Sequence, residues 1–253
     1  MVRWFDYWLK GKDTGVMSEP PVRYFVMGAL NEQDAPGNIW REAKDFPPDH
    51  QMQSYYFQTS GRLTNESPGD ESAGTSWISD PRAPCEIPGT SFPGAHDAQG
   101  FETQSQVRTF TTEVLSQPIE WTGRIRAELF FSSTAKDTDI IVRVSDVYPD
   151  GRSILIVDYP QRLRYRQGFD KEVLLTPNEI VPVDFDVGWI SQIFNKGHRI
   201  RVTIASTGAP LYEPNPQTGA KETIDWPNDP LVATNTIHHN RRHASKIMAP
   251  IRP

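Results

Sequence analysis

The clearest regularity in the chain is an alternation of apolar and polar residues with a period of two. In "GRIRAELFF", Ile125, Ala127, Leu129 and Phe131 alternate with Arg124, Arg126 and Glu128. "EIVPVDFDV" places Val181, Val183, Phe185 and Val187 on one face, and "HRIRVTIAS" does the same with Ile200, Val202 and Ile204. Side chains of a strand point to opposite faces in turn, so the pattern predicts strands with one buried side. "TDIIVRVSDVYPDGRSILIVD" predicts a hairpin, two β-rich runs joined across Asp150-Gly151, a dipeptide that suits tight hairpin turns. Further strands are expected at "VRYFVMG" (22–28), "SYYFQ" (54–58) and "TSWIS" (75–79). Residues 29–53 read as a linker broken by Pro36-Gly37 and Pro47-Pro48, and the rest of 60–106 as long loops. One buried and one polar face imply antiparallel strands in two packed layers. The expected fold is all-β, an antiparallel jelly-roll-like sandwich.

The first residues break the pattern. In "MVRWFDYWLKGKDTG", Val2, Phe5, Trp8 and Leu9 recur at helical spacing with Trp4 beside them, and Gly11 supplies a stop. The prediction is one short amphipathic helix ahead of the sandwich. An isolated helix of this length is marginal in water. Its apolar face must fold back on the sandwich, pair with a second copy of the chain, or fray, and covering is the expectation.

Composition narrows the partners. The chain has 253 residues, 37 % of them hydrophobic and 23 % charged, as in a globular protein with a large core. A net charge of −6 argues against nucleic acid, which needs a basic face. No apolar run is long enough to span a bilayer, so no membrane partner is expected. The single cysteine, Cys85, cannot form an internal disulfide, which is compatible with the cytoplasm and fixes no compartment.

Candidate chemistry is sparse. The triplets Gly74-Thr75-Ser76, Gly89-Thr90-Ser91 and Gly151-Arg152-Ser153 each lack the second glycine of a nucleophile elbow and precede no helix. His238, His239 and His243 in "HHNRRH" invite a metal reading, but Arg241 and Arg242 would repel a cation and a fourth ligand is missing. The pairs Asp137/Asp139 and Asp184/Asp186 have the spacing that puts two carboxylates on one side of a strand, for calcium or for acid–base work. The plainer expectation is that both pairs line the solvent face. His198 in "NKGHRIRV" could serve as a base or simply hold a turn. Phe92, Phe101, Trp77, Trp226 and Tyr212 could stack on sugars or pack internally.

Taken in order, "RWFDYWLKG", "VRYFVMG", "TEVLSQPIEWTGRIRAELFFSSTAKDTDIIVRVSDVYPDGRSILIVD", "RLRYR", "FNKGHRIRVTIAS", "PNPQTG" and "HASKIMAPI" resemble one family. It is the C-terminal part of the X-Pro dipeptidyl peptidase, cocaine esterase and α-amino-acid ester hydrolase group of serine hydrolases. The resemblance implies an α/β-hydrolase domain with a Ser-Asp-His triad, whose last helix leads into a C-terminal jelly roll of galactose-binding-like type. The helix at 2–10 looks like that last helix, with the rest of the catalytic domain missing from this chain. All three triad residues would lie upstream of it, so no catalytic residue, metal or cofactor carries over. His198 matches the family's G-H-R-I element and His243 the h-x-S near the end, both outside the triad. "PGTSF" resembles the family turn that approaches the substrate pocket, which makes Phe92 the candidate rim contact. One departure is the delay of Trp40 by "GALNEQDAPGNIW", which resembles an insertion.

The resulting expectation is a non-catalytic accessory domain, inactive alone. Residues 1–17 form the hydrolase-side helix, 18–60 a strand and linker segment, and 61–253 the jelly roll. Trp4, Phe5, Trp8 and Leu9 dock on the catalytic domain or on a second copy. The alternative is a free-standing carbohydrate-binding module.

Overall fold

Strand β7 organises the architecture, because both of its edges are used. The computed structural model describes residues 1–33, 35–87, 95–220 and 229–253. Its strands are β1 (Val22–Val26), β2 (Ile39–Ala43), β3 (Gln51–Gln58), β4 (Arg62–Thr64), β5 (Gly74–Ser79), β6 (Arg108–Thr111), β7 (Ile119–Ser133), β8 (Asp139–Val147), β9 (Ser153–Arg162), β10 (Val181–Phe194), β11 (Arg199–Ala205), β12 (Ala233–His238) and β13 (Lys246–Arg252). Helix α1 spans Val2–Lys10 and a single turn, α2, spans Gln99–Glu102.

On one edge, β7 pairs with β10 from Ile119 to Phe131. Its other edge is shared by β13, against Glu120 to Glu128, and β12, against Phe130 to Ser133. β5 extends this layer beyond β12, and β3 with β4 extends it beyond β13. The second layer runs β6-β11-β8-β9 and meets the first through one parallel bridge, Arg62 to Thr111. Every other strand pair is antiparallel.

The alternation seen in the sequence is the core. Ile125, Ala127, Leu129 and Phe131 of β7 and Val181, Val183, Phe185 and Val187 of β10 pack with Ile140, Val142 and Val144 of β8 and Ile200, Val202 and Ile204 of β11. The result is the expected jelly-roll sandwich, with β8 and β9 joined as a hairpin around Gly151 at φ 96°. Sequence periodicity did not show β2 inside the expected linker, the start of β3 at Gln51, or β4 and α2 within the expected loops.

β1 and β2 make a separate two-stranded sheet. Tyr24 and Val26 pack on Ile193 of β10, and Met27 exchanges backbone hydrogen bonds with Ser191 and Ile193 at 2.8 and 2.9 Å. The connection between β1 and β2 is pinched where Gly28 crosses Gly37. A Cβ on Gly28 would lie 2.6 Å from the Gly37 Cα, so only glycine fits. Asn38, at φ 61°, ties the neck by accepting from Gly28 N at 3.1 Å and donating to Ala29 O at 2.9 Å.

This geometry gives a test. Gly28→Ala should cost about 1–3 kcal/mol, the usual penalty of forcing a methyl group into filled space. Urea unfolding checks the magnitude, and hydrogen exchange should place the loss in β1 and β2 while β7 stays protected.

Candidate docking surface and the polar clusters around it

Helix α1 forms as its sequence implies. Gly11 adopts the left-handed conformation at φ 62°, and the N–H groups of Gly11 and Lys12 reach Tyr7 O and Asp6 O, so the last carbonyls are satisfied. Lys10 pairs with Asp6 one turn back at 2.6 Å. Arg3 binds Thr14 O and the Glu19 carboxylate, each at 2.7 Å, and folds the following turn onto the helix.

No residue of α1 is buried. Trp4 and Phe5 are about half exposed, Trp8 is 56 % exposed and Leu9 77 %. The Trp4 and Trp8 rings lie 5.8 Å apart, tilted by 54° and one turn apart, which makes a continuous aromatic strip. The four residues singled out from the sequence therefore share one surface, and the sandwich does not bury it. Trp40 of β2 is also exposed, faces Phe25 at 5.4 Å and carries Arg23 over its ring at 5.1 Å. Phe92 lies outside the described residues.

The carboxylate pairs part company. Asp184 and Asp186 do line the solvent face, paired with Arg126 at 2.5 Å and Arg124 at 3.1 Å. The expectation for Asp137 and Asp139 needs correcting, because both are buried. Asp137 accepts from Arg164 N at 3.0 Å and Arg164 Nε at 2.7 Å, while the Arg162 guanidinium grips Asp139 at 3.0 Å through two nitrogens. The Asn215 amide donates to both carboxylates at 2.9 Å. Two arginines and an amide thus saturate the oxygens that a calcium ion would have used. The side chains of Arg164 and Asp137 are 1 % and 0 % exposed, a buried ion pair.

The same cluster continues inward. Thr138 donates to Gln217 at 3.0 Å and accepts from Asn235 at 3.1 Å; Asn235 and the Trp77 indole both donate to Ser206. The "DTD", "RLR" and "NPQ" segments form one network that closes this end of the sandwich.

The remaining candidates have structural surroundings. His239 hydrogen-bonds Thr75 at 2.8 Å and His238 hydrogen-bonds Ser132 at 2.9 Å, while the His243 ring packs on Phe130. Burial lowers the first two imidazoles below their ordinary range. Among the described residues, no three His, Cys, Asp or Glu side chains converge as metal ligands. Ser153 Oγ donates to the buried Glu102 at 2.7 Å, and Ser76 lies in β5 against Thr236. Trp77 and Phe101 are core residues and cannot stack on a sugar; Tyr212 packs beside the small Cys85 cluster, and Trp226 lies outside the described residues. No described helix is long and apolar enough to cross a membrane.

His198 is the histidine whose surroundings the sequence hid. Its Nδ1 lies 2.7 Å from Asp146 and its Nε2 2.9 Å from Glu32, a residue of the β1–β2 connection. Burial of the ring opposes its charge, but hydrogen bonds and charge from the two carboxylates outweigh this and raise its pKa.

Residues 14–248 match the family described as the X-Pro dipeptidyl-peptidase C-terminal non-catalytic domain. The chain belongs to that family. It is a non-catalytic domain of the X-Pro dipeptidyl-peptidase C-terminal type. Cocaine esterase of Rhodococcus sp. (strain MB1 Bresler) is 34 % identical over 263 residues, covering 98 % of this chain and 44 % of its own. Among solved structures, an aminopeptidase from a marine sediment archaeon, Thaumarchaeota archaeon, superposes with a TM-score of 0.89 at 26 % identity. That match covers 100 % of this chain and 43 % of the aminopeptidase. An α-amino acid ester hydrolase superposes with a TM-score of 0.85 at 27 % identity, covering 99 % and 44 %. The chain thus spans less than half the length of these relatives.

The buried pair of this X-Pro dipeptidyl-peptidase C-terminal domain generates a second test. Asp137→Ala should destabilise by about 3–5 kcal/mol, because it strands the Arg164 charge in the interior. Replacing both partners, Asp137→Leu with Arg164→Met, should cost clearly less. Chemical denaturation of the two variants checks the order, and equal losses would contradict it.

Proposed function

We propose that this domain docks through the aromatic face of α1 onto an α/β-hydrolase catalytic domain and helps to shape the rim of that domain's substrate pocket. The observation that carries the reading is a formed helix whose Trp4, Phe5, Trp8 and Leu9 are all exposed, from about half upward, with none buried by the described residues. Fully burying one such side chain is worth roughly 1.5–3 kcal/mol, so four of them amount to a substantial docking energy. Relatives more than twice as long, named for ester and peptide hydrolysis, supply the reaction class of the partner domain. On this reading residues 1–17 belong with the catalytic domain, 18–60 are a strand and linker segment that packs on the sandwich and lends it β3, and 61–253 form the rest of the jelly roll, with Phe92 the candidate rim residue.

Two measurements test the proposal. The chain alone should hydrolyse neither p-nitrophenyl acetate nor an X-Pro-p-nitroanilide. Turnover that titrates with a serine-directed phosphonate and labels a residue of this chain would show it to be an enzyme in its own right. Without a catalytic domain, the α1 face should drive self-association, visible as concentration-dependent sedimentation. Trp8→Glu should abolish that association and leave the β-sheet circular dichroism and melting of the sandwich unchanged. A wild type that stays monomeric, with residues 2–10 exchanging freely, would remove the docking role from this face.

A further inference from the structure

The two inward columns of β8 and β11 end in charge. Val142 and Val144 lead to Asp146, Ile204, Val202 and Ile200 lead to His198, and Asp146 is the cross-strand partner of Ile200. The sandwich is therefore open to polar chemistry at this end. The residue that closes it, Glu32, comes from the β1–β2 connection rather than from either layer.

Imidazole chemistry decides what this arrangement does. A neutral ring has one N–H donor and one lone pair, whereas an imidazolium has two donors. Both neighbours of His198 are carboxylates at hydrogen-bonding distance. Only the imidazolium can donate to both. The neutral ring must turn a lone pair toward one of them. The two carboxylates are not equally free to leave, since the Asp146 side chain is 1 % exposed and the Glu32 side chain 29 %. Release of Asp146 would leave a buried charge with, among the described residues, the Gln192 amide at 3.4 Å as its remaining side-chain donor, while Glu32 can turn to water.

We propose that Glu32, His198 and Asp146 form a proton-dependent latch that holds the β1–β2 connection against the end of the sandwich. The latch is closed while His198 carries two protons and opens at Glu32 when one is lost. Because β1 and β2 lie between α1 and the sandwich in the chain, the latch is one of the contacts that seat the α1 segment on the jelly roll, beside Arg41 on Glu120 and Tyr24 under Arg252. The inference does not rest on the docking reading, and this chain alone tests it.

The groups facing the ring are known from each side. β8 contributes Asp146, and the β8–β9 turn contributes Tyr148, whose ring lies 4.4 Å from the imidazole with Arg152 stacked over it at 4.4 Å. β10 and the residue after it contribute the neutral amides of Gln192 and Asn195, the latter donating to Glu32 at 2.7 Å. The Tyr148 hydroxyl accepts from Leu30 N at 2.6 Å, so the Leu30 amide reports directly on whether the connection is seated. Burial pushes the Tyr148 phenol above its ordinary range, so it does not titrate in the window where His198 does. A histidine whose folded pKa is raised gives a contact that is complete below the ordinary imidazole pKa, about 6.5. That contact is lost as pH rises through the folded value.

The experiment follows the His198 ring by long-range proton–nitrogen NMR and the Leu30 amide by hydrogen exchange, corrected for its intrinsic pH dependence, from pH 5.5 to 9.5. In the wild type, Leu30 protection should fall about tenfold or more with the same midpoint as the imidazole, while β11 amides stay protected; tenfold corresponds to one unit of pKa coupling. Glu32→Ala, at a part-exposed loop position, should lower the His198 midpoint and leave Leu30 weakly protected at every pH. Leu30 protection that stays constant while His198 titrates would overturn the latch. So would a Glu32→Ala variant in which the His198 midpoint does not move.

Discussion

Everything in the sandwich is referred to the double pairing of β7. A strand with hydrogen-bonded partners on both edges and one face in the core cannot slip. A shift of one residue would drive Arg124 and Arg126 inward and expose Trp121, Ile125 and Leu129. β10, β12 and β13 take their register from it, and through them β5 and β3. The ladder yields at two places, at β10 between Asp186 and Gly188 and at β13, and the second is chemically necessary. Pro250 has no N–H to give, and the β13 register shifts between Met248 and Ile251. Opposite it stands Gly123 at φ 143°, where a Cβ would meet the proline ring at 2.9 Å.

β8 plays the complementary part by carrying buried charge at both ends. Asp137 and Asp139 stand at its start and Asp146 near its finish. At about 3.3 Å per residue, Asp139 and Asp146 are some 23 Å apart, so the two clusters act independently. Each lies where a hydrophobic column stops and irregular segments must be fixed. At one end Arg162, Arg164 and Asn215 bring in the chain after β9 and the chain before β12; at the other, Glu32 brings in the β1–β2 connection. Buried ion pairs seldom add stability over apolar packing, but a misplaced loop would leave one charge unpaired, which is costly. Their effect is to make the correct loop arrangement the only inexpensive one.

This explains what could be read from the sequence. The strands of the core were legible because burial of one face writes itself as period two, as in Ile125, Ala127, Leu129 and Phe131. The hairpin was legible because Asp150-Gly151 is a local requirement. Asp137 and Asp139 were misread because i, i+2 carboxylates look the same on a wet strand as on a buried one. What distinguishes them is Arg162 and Arg164, some 25 residues later, and Asn215 further still. β2 was hidden because its sequence, "IWREA", pairs only with β1 and leaves Ile39 and Trp40 exposed, so it carries no alternation to find. His198 showed its strand but not its two carboxylate neighbours, which are 52 and 166 residues away.

The aromatic face of α1 was legible for another reason: a helical stripe is visible even when none of its residues is buried. The physical question is how such a face keeps a defined orientation. Arg3, Thr14 and Glu19 weld α1 to the turn after it, so the helix moves as a unit with residues up to β1. From there the connection to the jelly roll is narrow. It includes Met27 against Ser191 and Ile193, Tyr24 and Val26 on Ile193, Leu30 on Tyr148, Glu32 on His198 and Asn195, the Tyr24 hydroxyl under Arg252 of β13, and Arg41 of β2 on Glu120 of β7. The contacts from Tyr24 to Glu32 fall within nine residues of chain, and Arg41 adds a second attachment, to β7. A joint made of so few contacts is stiff only while each is made. It follows that the Gly28–Gly37 crossing, which holds β1 and the Leu30–Glu32 segment in one fixed relation, contributes to the seating of α1 alongside the Arg41–Glu120 pair, although neither glycine touches the helix.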